Sequence, residues 1–196
     1  MATILLFGLP DVGTEALLHL TVSHPRANGP QFMVHHLLDA VPPRKRITPE
    51  KLPLIVRSVT DKFERLLHAA ANTNEKHILI TSPIILPTQL GYSPLFPTKI
   101  FTGHKIDLIV LTEAKTTFIR TPSVTMLPKG FISFKQLEQL EELQHIQRSL
   151  AAHIAAQCGA PLAVVTIDRN NMKPSVHTLL DLLDLVAKPF KPSRGG

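Results

Sequence analysis

Runs of consecutive apolar residues of strand length recur along the chain at Thr3–Phe7, His77–Ser82, Ile106–Leu111 and Leu162–Ile167. Continuous rather than alternating hydrophobicity is what strands buried on both faces of a parallel sheet require. A further strand is predicted over Gln31–Leu38, after the turn chemistry of Ala27-Asn28-Gly29-Pro30. Between these runs the apolar positions change to helical spacing. Leu17, Leu18 and Leu20 predict a short helix that ends before His24-Pro25. Leu54, Ile55, Val59, Phe63, Leu66 and Leu67 predict a second, capped at Thr48-Pro49-Glu50 and fading at Asn72-Thr73-Asn74. Leu137, Leu140, Leu143, Ile146, Leu150 and Ile154 predict a long helix from Ser133 to Cys158, with Glu138, Glu141 and Glu142 on its outer face and Gly159 as its stop. Val176, Leu179, Leu180, Leu183 and Val186 predict the last helix, Pro174–Ala187. Pro83–Pro97 reads as a proline-punctuated loop, and residues 113–130 as a short helix with an irregular excursion.

Strands that alternate with helices define an α/β fold: a central parallel sheet covered on both faces, joined by right-handed crossovers. Ligands of such sheets bind at the carboxyl ends of the strands, here the loops after Phe7, Ser82 and Leu111. With 196 residues, 44% of them hydrophobic, the chain has the size of a single domain, taken as residues 1–188 with a basic tail at 189–196. A formal charge of +6 and ten histidines point to an acidic partner, whether nucleic acid, a nucleic-acid-bearing particle or an anionic surface, and charge alone does not choose among them. The lone Cys158, among alanines at helical spacing, reads as a packed thiol in a reducing compartment. No apolar run approaches the roughly 20 residues that span a bilayer, and the expectation is a cytoplasmic protein without a membrane partner.

The chemistry concentrates in the first loop, Gly8-Leu9-Pro10-Asp11-Val12-Gly13-Thr14-Glu15. The Walker A pattern G-x-x-x-x-G-K-[ST] needs its glycines for backbone geometry, a lysine for the β- and γ-phosphates and a hydroxyl for Mg²⁺. Gly8 and Gly13 are in place, whereas Thr14 stands at the lysine position and Glu15 at the hydroxyl position. Two readings follow: a nest of backbone N–H groups that still attracts an anion, or a plain strand-to-helix turn. A carboxylate from Asp11 or Glu15 is expected to satisfy those N–H groups from within. The histidines lack metal-ligand spacing, since His35 and His36 face opposite sides of a strand and His145 and His153 lie two helical turns apart, so no metal site is predicted.

The order of parts resembles the archaeal-type adenylate kinases, nucleoside monophosphate kinases whose relatives include factors of ribosome assembly. Gly8, Pro10, Val12 and Gly13 are similar to their opening G-x-P-G-x-G-K-T. Ile85, Pro87, Gly91, Tyr92, Pro94, Leu95 and Pro97 resemble their D-T-H-S-x-I-x-T-P-x-G-Y-L-P-G-L-P segment. Residues 106–114, IDLIVLTEA, are similar to P-D-I-I-V-L-V-E-A, and Gln147-Arg148 followed by Cys158-Gly159-Ala160 resembles their N-R and T-G-A. The departures fall on the chemistry: Asp11, Thr14 and Glu15 in the loop, Thr81 where an acid ends the third strand, and Arg120 alone, with Lys115 and Lys129, where an arginine cluster forms the lid.

The resemblance implies a three-layer P-loop NTPase fold of the nucleoside-monophosphate-kinase kind, with a monophosphate-binding-like insertion at about residues 31–75 and a reduced lid at about 113–130. Gly8, Pro10, Gly13, Thr14, Glu15, Arg120 and Arg148 are the residues it places around a nucleotide, and no catalytic residue is assigned. It implies a pseudoenzyme, requiring no cofactor, that serves as a scaffold for RNA or a ribosomal protein. The alternatives are a protein that still binds ATP or AMP, with Arg120, Arg148 or Lys129 standing in for the lysine, and a stable domain used for contacts between copies of itself. Basic residues at Arg44-Lys45-Arg46 and at Lys188, Lys191 and Arg194 are the candidate contacts to phosphates.

Overall fold

The computed structural model describes residues 2–9, 12–25, 32–37, 50–72, 77–88, 91–115, 137–168 and 170–187. The elements run β1 (Thr3–Gly8), α1 (Thr14–Val22), β2 (Phe32–His36), α2 (Leu52–Asn72), β3 (His77–Ser82), β4 (Ile85–Thr88), β5 (Gly91–Pro94), β6 (Leu108–Ala114), α3 (Leu137–Cys158), β7 (Leu162–Ile167) and α4 (Lys173–Ala187), with one turn of 3-10 helix at Thr98–Phe101. Five strands form one parallel sheet in the order β2-β3-β1-β6-β7. The central strand β1 is buried along its whole length, with Leu5 level with Ile80 on one side and Ile109 on the other.

Side chains alternate across the sheet, so each strand feeds two cores. On one face Leu5, Phe7, Ile80, Ile109 and Leu111 pack with Val59 and Phe63 of α2 and Ala151 and Ile154 of α3. Here Phe63 meets Phe96 at a ring-centroid distance of 5.1 Å and Phe101 at 5.4 Å, tilted and edge-on contacts that add to burial alone. On the other face Ile4, Leu6, Leu108 and Val110 pack with Leu17 and Leu18 of α1 and with Leu179, Leu180 and Leu183 of α4. The result is the three-layer α/β arrangement expected, with α1 and α4 on one side and α2 and α3 on the other. α3 ends in a Schellman motif: Gly159 takes φ 63°, its N–H donates to the Ala156 carbonyl at 3.4 Å, and the Ala160 N–H reaches back to Ala155 at 3.0 Å.

The structure corrects several expectations. Pro83–Pro97 is not a loop throughout, because β4 and β5 pair antiparallel within it, Ile85 opposite Pro94 and Pro87 opposite Tyr92. Both strands of a two-stranded ladder are edges, where a missing N–H faces away from the partner, so proline is tolerated. Leu20 and Leu54, read as inward, are 45% and 68% exposed. β6 runs past Leu111 to Ala114, its polar Thr112 and Glu113 buried by partners described below. α3 begins at Leu137, and Ser133 falls outside the described residues, as do the Thr48-Pro49 cap, residues 116–136, Arg44–Arg46 and the tail.

The start of the sheet is tied by two polar side chains. The Ala2 N–H donates to His77 Nδ1 at 3.1 Å and the Thr3 N–H to the Asp107 carboxylate at 2.8 Å. Accepting a hydrogen bond at Nδ1 requires a neutral ring, and burial lowers the pKa of His77 below the usual histidine value, as it does for His35. Unfolded histidines take up protons near pH 6.5 while these two resist in the folded state, so their stabilisation is present above that pH and declines as pH falls below it. Thermal unfolding should accordingly occur at lower temperature at pH 5.5 than at pH 7.5. The gap should narrow in His77→Gln; an unchanged gap in that variant would remove His77 from the account.

Candidate functional site

The loop after β1 lies at the carboxyl end of the central strand. Leu9 and Val12 are buried beside it, and Pro10 and Asp11 fall outside the described residues. Gly13 adopts φ 105° and ψ 13°, a left-handed conformation that only glycine takes without strain, and it turns the chain into α1. Among the described residues no side chain caps this helix, and its first helical bond runs from the Leu17 N–H to the Gly13 carbonyl at 2.9 Å. The turn thus keeps the left-handed glycine that carries the chain from β1 into α1, with the positive end of the α1 dipole at that point.

Beneath this turn the side chains have another arrangement. Thr14 Oγ1 lies 2.6 Å from Thr112 Oγ1, and Thr112 Oγ1 donates to the Phe7 carbonyl at 3.1 Å. A hydroxyl has one proton to give, so with Thr112 donating to Phe7 the Thr14 hydroxyl is the donor between the two threonines. Thr14 is 8% exposed and Thr112 is fully buried. Gly8 leaves the room for this pair, since a Cβ at that position would stand 2.1 Å from Thr14 Oγ1 and 2.2 Å from Thr112 Oγ1. The residue at the lysine position therefore points under the loop and spends its hydroxyl on β6, the neighbouring strand of the sheet.

Glu15 does not fill the nest. Its carboxylate, 71% exposed, turns to His36 at the end of β2, with Oε2 3.1 Å from Nδ1. The Lys62 ammonium donates to the His36 carbonyl at 2.7 Å, so α1, β2 and α2 are tied together there. The expected carboxylate within the loop is thereby corrected for Glu15, and Asp11 falls outside the described residues. Thr81, where an acid was absent from the sequence pattern, is 4% exposed, and its carbonyl accepts from the Leu37 N–H at 3.1 Å.

Arg148 lies on the other side of the sheet. Thr112 faces α1, and the next residue, Glu113, faces α3, where Arg148 Nε donates to Oε1 at 2.9 Å and Nη2 donates to Oε2. The fork-to-fork pair holds a carboxylate whose side chain is only 6% exposed, and this hydrogen bonding raises the pKa of the guanidinium further. Gln144, one turn earlier, accepts from the Ala114 N–H at 2.7 Å. Gln147 is fully buried, and neither of its amide atoms has a hydrogen-bond partner among the described residues. The structure thus brings Gly8, Gly13 and Thr14 together with Glu15 nearby, places Arg148 on a different partner, and leaves Arg120 and Lys129 outside the described residues. Thr112 and Glu113 belong to no site motif in the sequence, and only the polar interruption of an otherwise apolar strand signals them. The spacing of the histidines bears on His36 only as a metal ligand, and its pairing with Glu15 has no local signal.

A cavity of about 510 Å³ opens between α2, the β4–β5 hairpin and α3, lined by Leu52, Val56, Ile84, Phe96, Leu150 and Ile154 among others. Its lining carries no charge and does not suit a phosphate.

One substitution made in two backgrounds tests the packing under the loop. Gly8→Ala forces a methyl group into both hydroxyls and should lower stability by about 1–3 kcal/mol in urea unfolding, as overpacking does. The same change made in a Thr14→Ala/Thr112→Ala background should cost clearly less. Equal costs in the two backgrounds would show that the hydroxyl pair is not what Gly8 accommodates.

No family model matches the chain, and no curated protein is similar to it in sequence. Among solved structures, shikimate kinase from Bacteroides thetaiotaomicron superposes over 93% of this chain and 98% of its own, with a TM-score of 0.49 at 13% identity. The sheet order and the glycine turn described above, rather than that likeness, give the architecture: a three-layer α/β domain with a five-stranded parallel sheet and a left-handed glycine turn between its central strand and the first helix.

Proposed function

We propose that the chain is a catalytically impaired adenylate-kinase-like protein of the cytoplasm that works as a binding scaffold, its partner an RNA or an RNA-containing assembly. The observation that carries the first half is the Thr14–Thr112 hydroxyl pair at 2.6 Å. Phosphoryl transfer depends on positioned cations and donors around the migrating group. Here the lysine position holds a buried neutral hydroxyl, the metal-side position holds a carboxylate turned to His36, and the Arg148 guanidinium is neutralised by Glu113. Support for the partner comes from the charge of +6 and the basic run Arg44-Lys45-Arg46. Among the described residues no helix is long and apolar enough to cross a membrane.

A coupled assay with ATP, AMP and Mg²⁺ tests the first half. Turnover should equal that of a Gly13→Val variant; faster turnover that disappears on that substitution would overturn the reading. One observation favours the second reading, a nucleotide-binding protein: Gly13 keeps its left-handed turn, and no side chain among the described residues caps α1. Calorimetric titration with ATP, AMP and a bisubstrate dinucleotide separates the two, since saturable heat favours the binder.

The partner is tested by salt. Neutralising Arg44, Lys45 and Arg46 should weaken RNA association and flatten the plot of log affinity against log salt, by about one unit for each phosphate that is no longer neutralised. An unaltered slope would place the RNA on another surface.

A further inference from the structure

The sheet formed by the described residues has two edges, and they differ. β2 ends in His35 and His36, with the His36 carbonyl already held by Lys62. β7 is six residues, Leu-Ala-Val-Val-Thr-Ile, without a charge, a proline or a glycine. Edge strands of soluble proteins ordinarily carry such blocking residues, because a row of open N–H and C=O groups invites another strand. The Ile109 N–H bonds the Pro161 carbonyl at 2.9 Å and the Lys115 N–H the Ile167 carbonyl at 3.0 Å. In a parallel ladder alternate residues address one neighbour, so the odd-numbered residues of β7 face β6, and Leu162, Val164 and Thr166 turn their backbone groups outward.

The same three residues share one sheet face, where Leu162 packs partly against the core beside α3 while, among the described residues, Val164 and Thr166 are left uncovered. Val164 is 43% exposed and Thr166 is exposed, whereas Val165 and Ile167, on the other face, are buried under α4. Among the described residues, outward-directed backbone groups and an uncovered side chain therefore coincide at Val164.

We propose that β7 is the dimer interface of this protein, pairing antiparallel with β7 of a second copy about a two-fold axis through Val164, so that the two five-stranded sheets join into one. The choice of a second copy follows from self-complementarity. An axis normal to the sheet keeps each face continuous, and centring it on Val164 sets Val164 against Val164 of the partner and Leu162 against Thr166 of the partner. Every outward-directed residue then meets an outward-directed residue, and the exposed valine is covered by its own image. Asp168 of each copy comes alongside the other's Ala160, so the acids stay at opposite ends of the interface. One acceptor is partly taken, because the Ser175 hydroxyl donates to the Thr166 carbonyl at 2.8 Å, and the pairing is strongest at its centre. An uncharged strand offers nothing to a phosphate backbone, so this surface is separate from any RNA contact.

Light scattering on the full chain should give twice the 21.7 kDa of one copy, and Val164→Lys should return it to one copy with an unaltered circular dichroism spectrum. Directly opposed, hydrogen-bonded residues have Cα atoms about 5.5 Å apart, within the range a disulfide spans. In a Cys158→Ser background, Val164→Cys should form a disulfide dimer on mild oxidation, and Leu162→Cys, about 13 Å from its image by strand rise, should not. A wild-type chain that stays single at high concentration and after dilution alike overturns the proposal. So does a dimer that survives Val164→Lys, or one in which Leu162→Cys cross-links and Val164→Cys does not, since either places the contact in another surface or register.

Discussion

Two hydroxyls meet over a bare stretch of backbone at the carboxyl end of the central strand, and the packing around them depends on that approach. Gly8 has no side chain, so Thr14 from α1 and Thr112 from β6 can meet directly over its Cα. Their hydrogen bond fixes the distance from α1 to the sheet, and with it the turn at Gly13, the packing of Leu17 and Leu18, and the seat of α4 against α1. In a phosphate-binding loop the glycines let the backbone come near an anion. Here the first of them lets the protein come near itself, which explains why the glycine frame can persist without the residues that act on a phosphate.

Electrostatic groups follow the same inward logic. Glu113 is a buried carboxylate next to Thr112 on β6, and removing its partner would leave an uncompensated charge in the core. Arg148 is therefore committed to structure, although more than half of its side chain remains exposed. Glu15 and His36 form a bridge at the surface, where an ion pair contributes little energy and serves mainly to orient α1 relative to β2. Gln147 is the exception. Its amide is buried without a partner among the described residues, a cost of about 1–3 kcal/mol that a fold retains only where something else offsets it. It sits one turn from both Gln144 and Ala151, on the side of α3 that faces the sheet.

The layers were legible in the sequence because continuous apolar strands and helices with one apolar stripe have different periods. β1, β3 and β7 emerged within a residue of their bounds, and Gly159 was readable as a helix stop because the left-handed cap needs it. The hairpin in residues 85–94 was hidden by proline, a residue that argues against strands except at edges. The site was half legible. Gly8 and Gly13 could be read from spacing, but the partner of Thr14 lies 98 residues away, and no local pattern predicts which hydroxyl meets which. The partner that buries Glu113 was equally hidden, since a charge after an apolar run ordinarily marks a strand's end, and only its pairing with Arg148 on α3 permits the strand to continue.

Two features of the described residues lie in different directions. The glycine turn lies at the carboxyl ends of the strands, and β7, an edge among the described strands, lies at the side of the sheet, two strands from β1. A two-fold axis normal to the sheet through β7 reverses the strand direction between copies, so the two glycine turns would open toward opposite ends of the joined sheet. An anion at one turn would then lie far from the other, so in such a joined sheet the two turns would act independently, one per chain.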